Sequence, residues 1–68
     1  MHLYAKVIFI PCATLRESPN NNSPIVTTEY TGSILEVDGP SIDGYTKVTN
    51  VMGVEGWVLE QDLEYLDY

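Results

Sequence analysis

The chain has 68 residues, room for one small domain and not for two. Hydrophobic residues make up 44% and charged residues 19%, a globular composition; a single cysteine excludes an internal disulfide, and a single histidine excludes the common zinc ligand sets. Ten acids oppose three bases (Lys6, Arg16, Lys47), and the formal charge of -7 disfavours direct binding to nucleic acid, anionic membrane surfaces or anionic wall polymers, while it suits a cationic partner.

Sustained helical periodicity is absent. Val, Ile, Thr and Tyr, interrupted at short intervals by Gly, Pro and Asn, predict a series of short strands. A first strand is expected over residues 3–10, limited by Pro11. A long loop follows over 13–24, where Ser18-Pro19-Asn20-Asn21-Asn22-Ser23-Pro24 consists of turn formers. The second strand covers 25–28, and Tyr30-Thr31-Gly32 turns into a third strand over 33–37. Asp38-Gly39-Pro40 closes that strand and begins a polar tip that runs to Gly44.

Strand four, over 45–50, directs Val48 to one face and Tyr45, Lys47 and Thr49 to the other. A tight turn at Met52-Gly53 leads to strand five over 54–59. Residues 60–63 have the look of a single helical or 3-10 turn, and 64–68 add a last edge strand. Five to six short strands with polar turns bury a common face only by closing into a small barrel or sandwich. The predicted fold is therefore all-β, one domain spanning 1–68. Its inward residues are expected to be Val7, Phe9, Leu15, Val26, Leu35, Val37, Val48, Val58 and Leu63.

Catalysis finds no constellation here. Cys12 and His2 are the only thiol and imidazole, and nothing holds His2 beside a nucleophile. Asp38 and Asp43 frame a turn that lacks the further acidic ligands of a calcium loop. No enzyme activity, cofactor or metal is expected. The start of the chain carries no basic segment ahead of a long apolar run, and Cys12 is unpaired, so a reducing, cytoplasmic setting is expected.

Four segments in order resemble the bacterial SH3-like domains. Ala13-Thr14-Leu15-Arg16-Glu17-Ser18-Pro19 is similar to their opening, in which an apolar residue, an Arg and a nearby Pro shape the first long loop. The run from Ile25 through Gly32 to Val37 resembles the segment that follows. Gly44-Tyr45-Thr46-Lys47-Val48 and Gly53-Val54-Glu55-Gly56-Trp57-Val58 resemble the last two strands. In this pattern Gly32 supplies a turn, and Gly56 lets the backbone pack close to the large ring of Trp57. The resemblance implies a small SH3-like barrel and a non-catalytic binding role. The stretch from Gly56 to Glu64 also looks like the final strand of signalling SH3 domains. Leu59 and Asp62 stand there in place of the Pro and Tyr that line a PxxP groove, so that surface is not carried over.

The aromatic residues then direct the functional reading. Trp57, the largest ring of a thin core, is expected to lie partly buried against the barrel. With Tyr45 it would floor a shallow groove under the long loop, with Tyr30 and Tyr4 clustered nearby and Tyr65 and Tyr68 capping one end. Glu17, Asp43 and Glu55 would rim the groove and meet a basic peptide or the basic patch of a folded protein. The expected function is an acidic protein-interaction module of bacterial or bacteriophage origin, occupying and inhibiting a larger protein with a basic surface. The alternative is a self-associating structural or accessory module, or one that binds peptide or wall fragments. Self-association would use the apolar run Val7 to Ile10 as an exposed edge strand.

Overall fold

The computed structural model describes residues 3–66, and it is all β apart from one short turn of 3-10 helix. Seven strands follow in order: β1 Tyr4–Val7, β2 Cys12–Arg16, β3 Ile25–Tyr30, β4 Ile34–Val37, β5 Tyr45–Thr49, β6 Glu55–Leu59 and, after the 3-10 turn Glu60–Asp62, β7 Leu63–Leu66. They form one antiparallel sheet in the order β3-β2-β6-β5-β4-β1-β7. The expected end cap Tyr68 and the imidazole of His2 lie outside the described residues, as does the end of the predicted tail strand.

The sheet rolls because its inward residues come from nearly every strand and meet in one cluster. Ala5 and Val7 of β1, Ala13 and Leu15 of β2, Leu35 of β4, Val48 of β5, Val58 of β6 and Leu63 of β7 pack together, each almost wholly buried. A flat sheet cannot bring its second and seventh strands to the same point; a small SH3-like barrel does. Two hydrogen-bonded turns set its corners. Ser33 N–H donates to the Tyr30 carbonyl at 3.0 Å around Gly32, whose φ of +95° suits glycine. Gly53 N–H donates to the Asn50 carbonyl at 2.9 Å in the β5–β6 turn.

The added strand is β2, which falls at the start of the region expected to be loop. Cys12, Thr14 and Arg16 alternate with the buried Ala13 and Leu15, a period-2 pattern muted by the small alanine. Two expected core residues are outside. Phe9, 51% exposed, lies beyond the end of β1, in a connection held by Thr31, whose hydroxyl bonds the Phe9 and Pro11 carbonyls at 2.6 and 3.0 Å. Val26, 39% exposed, sits where the β2–β3 register shifts: Thr27 pairs with Leu15 and Ile25 with Arg16, so Val26 is the extra residue of a bulge. Val37 is only partly buried, packed against the core's margin.

β1 is shorter than expected and is not an edge. It pairs with β4 on one side and with β7 on the other, so the run from Val7 to Ile10 offers no open strand for self-association. The sheet's outer strands are β3 and β7. Gly56 is also explained differently from expectation. A side chain there would place its Cβ 2.8 Å from the Leu15 Cβ, so the close approach that requires glycine is β6 against β2, not backbone against the Trp57 ring.

Candidate functional site

The β5–β6 hairpin turns about Met52 and pairs Tyr45 with Leu59, Lys47 with Trp57 and Thr49 with Glu55. Directly opposed residues share a face, and this set lies on the face away from Val48 and Val58, although Tyr45, 7% exposed, is covered there by its neighbours. On the other side of β6, Arg16 of β2 is opposite Trp57. The half-buried indole therefore stands in a row between two cations, Arg16 and Lys47, which are two of the three bases in the chain.

Two clefts open on this face. One, of about 260 Å³, brings together Trp57, Glu17, Glu55, Lys47 and Val26 over the backbone of Gly56. The other, of about 250 Å³, has Tyr45, Leu59 and Phe9 as apolar walls and Arg16, Gln61 and Asp62 among its polar ones. Trp57 and Tyr45 thus share a sheet face as diagonal neighbours but line separate clefts, with Arg16 beside both. Of the acids expected to rim a single groove, Glu17 and Glu55 flank Trp57. Asp43 lines neither cleft; it lies in the β4–β5 connection with a φ of +52°. Tyr4 and Tyr30 line neither cleft either, and Tyr30 is 75% exposed at the end of β3.

The long connection between β2 and β3 is folded on itself beside both clefts. Glu17 N–H donates to the Pro24 carbonyl at 3.0 Å, and the Ser23 hydroxyl donates to the Ser18 carbonyl at 3.0 Å. Arg16 donates to the Ser23 carbonyl at 2.8 Å, which ties the loop's return to the sheet face. This is the loop-shaping part expected of the Arg in this position.

Both lysines are ion-paired within the chain. Lys47 Nζ is 3.4 Å from Glu55, and Lys6 Nζ is 3.4 Å from Glu64. Such half-exposed pairs add little stability, but they occupy the cations. Asp62 differs from the other acids: it is buried at the edge of the Tyr45 cleft, and burial raises its carboxyl above the ordinary carboxylate pKa. Cys12 is a free, half-buried thiol opposite Tyr30. Among the described residues no group of three or more His, Cys, Asp or Glu side chains is placed to hold a metal. The surface suits non-covalent recognition of an extended or convex protein segment: aromatic and aliphatic area, amide groups and opposed charges at the margins.

Phe9, Leu59, Arg16 and Lys47 were not among the residues expected to form the binding surface, and Phe9 was expected in the core. Lys47 was recoverable, since a hairpin symmetric about position 52 sets 47 against 57. Phe9 was not, because its place depends on how the 8–11 connection folds over β2.

A family model for the bacterial SH3 domain matches residues 13–64. No curated protein and no solved structure matches the chain.

Proposed function

We propose that this chain, which belongs to the bacterial SH3 domain family, acts by occupying a basic surface on a larger protein and blocking what that surface otherwise meets. The family makes it a protein- or peptide-binding module. The observation that carries the finer reading is the state of the cations. Lys6 and Lys47 are each ion-paired within the chain and Arg16 is tied to the Ser23 carbonyl, while Glu17, Glu29, Glu36, Asp38, Asp43 and Glu60 face outward without a basic partner among the described residues. The field that an approaching molecule meets is negative, and it selects a positive partner. A bacterial or phage cytoplasm, where Cys12 stays reduced, completes the proposal.

The test is capture of partners from bacterial lysate at low salt, followed by association and dissociation rates with the purified partner. A basic partner is expected, with an association rate that falls steeply with ionic strength and a dissociation rate that changes little. Partners that are acidic or salt-insensitive overturn the reading. Replacing Glu17, Asp43 and Glu55 by Lys should weaken binding with little effect on folding.

One observation favours a second reading. Among the described residues β3 is an outer strand paired only with β2, and it exposes Ile25 and Val26 with Glu29 as its one charge. Self-association would run through β3 rather than β1, and size-exclusion chromatography with light scattering decides it: a strict monomer at high concentration removes this reading.

A further inference from the structure

We infer that the β5–β6 hairpin tip is a docking prong, whose Val51 and Met52 line neither cleft and insert into an apolar patch rimmed by Lys or Arg on the partner. This rests on the reading above that the partner is basic. Val51 is 91% exposed and Met52 is 81% exposed, more than any other large apolar side chain among the described residues. Water-facing turns ordinarily carry polar residues, and a β-branched valine is a poor turn former.

The tip is not a slack loop. The Asn50 side-chain oxygen accepts from Met52 N–H and from Val54 N–H, both at 2.9 Å, and Gly53 N–H donates to the Asn50 carbonyl at 2.9 Å. Asn50 also donates through Nδ2 to Glu29 at 2.7 Å, which anchors the turn to β3. Three successive amides are satisfied inside the turn, and Gly53, with φ +84°, permits its shape. Val51 and Met52 are therefore held out in a set conformation, and a partner need not order them on binding. Methionine adds a pliable, polarizable contact.

The stem of the prong is acidic. Glu29 bonds Asn50; Thr49 donates to Asp38 at 2.5 Å; Glu36 and Glu55 are the cross-strand neighbours of Thr49 on its two sides. Four carboxylates thus surround the base of an apolar tip, and the one nearby ammonium among the described residues, Lys47, is paired with Glu55. Apolar contact at the centre with charges around it is the arrangement of a binding hot spot, and its complement is an apolar patch bordered by cations. The Tyr45 cleft is at the opposite end of β5, on the order of 13 Å away along the strand, so the two surfaces are separable by experiment.

The test uses a short synthetic amphipathic peptide of leucine and lysine alone, with the leucines on one helical face, titrated into the isotope-labelled domain. Amide shifts are expected to concentrate at Glu29, Glu36, Asp38 and the segment from Thr49 to Glu55. The double variant Val51→Ser, Met52→Ser should lose at least about tenfold in affinity for this peptide at unchanged melting temperature. Polylysine, which offers charge without an apolar face, should bind parent and variant alike. Shifts centred on Tyr45 and Trp57, or a double variant within about twofold of the parent, overturn the prong and leave the basic-partner reading standing. No binding of either polycation up to millimolar concentration overturns both.

Discussion

The Thr46 hydroxyl oxygen lies 2.6 Å from the phenol oxygen of Tyr65, and this bond joins β5 to β7, two strands that β4 and β1 separate in the sheet. Thr46 is wholly buried. The Tyr65 phenol is also within 3.2 Å of the Glu60 carboxylate, to which it can donate, and the Thr46 hydroxyl meets Ser41 at 2.9 Å; each of the three hydroxyls can donate or accept. The cluster of hydroxyls ties these two strands together by side chains alone among the described residues.

Tyr65→Phe should therefore destabilise the domain by about 1–3 kcal/mol, because the buried Thr46 hydroxyl loses its 2.6 Å partner. Urea unfolding at neutral pH measures it. A variant as stable as the parent would mean that the joining of β5 to β7 rests on apolar packing alone.

Gly56→Ala is expected to cost at least about 1–3 kcal/mol, since the new methyl carbon would meet Leu15 Cβ at 2.8 Å between two packed strands. Gly39→Ala meets open space and tests only the φ of +146°. Parallel thermal melts compare the two, and a Gly56→Ala melt matching the parent would show that β2 and β6 can separate without penalty.

Asp62→Asn should stabilise the protein at neutral pH. Burial raises the pKa of Asp62 in the folded state, so the folded chain holds this proton more tightly than the unfolded chain. As pH rises from the unfolded pKa through the raised folded pKa, the unfolded state releases the proton first. The contribution of Asp62 to stability falls across that window and stays reduced above it. The melting-temperature advantage of the variant should be largest at neutral pH and vanish below the ordinary carboxylate pKa. An advantage independent of pH would assign the effect to packing instead of charge.

Leu15→Ala should cost more folding stability than Trp57→Ala, although tryptophan is the larger residue. Leu15 is fully buried at the centre of the core, where such a truncation costs about 2–5 kcal/mol, whereas Trp57 is half-exposed between Arg16 and Lys47 on the outer face. Denaturant midpoints rank the two. The reverse order would mean that the indole contributes more to folding than its half-exposed place on the outer face implies.

What the residues determine by themselves is whatever depends on neighbours along the chain. The strand-forming stretches, the turn at Gly32, the 3-10 turn at Glu60–Asp62 and the alternation of Val48 against Tyr45, Lys47 and Thr49 follow from local preference and a period of two. The β5–β6 pairing belongs with these, because a tight turn at Met52 fixes its register. Tertiary structure alone decided which strands lie side by side when they are far apart in sequence, and with that the character of the surface. Arg16 reaches Trp57 only because β2 pairs with β6, Gly56 is required only because β2 then presses on it, and β1 is an inner strand only because β7 returns to cover it. Phe9, Val26 and Asp62 depart from their ordinary burial for the same reason. A side chain's exposure is set by what the rest of the barrel brings over it, and no pattern within its own strand carries that information.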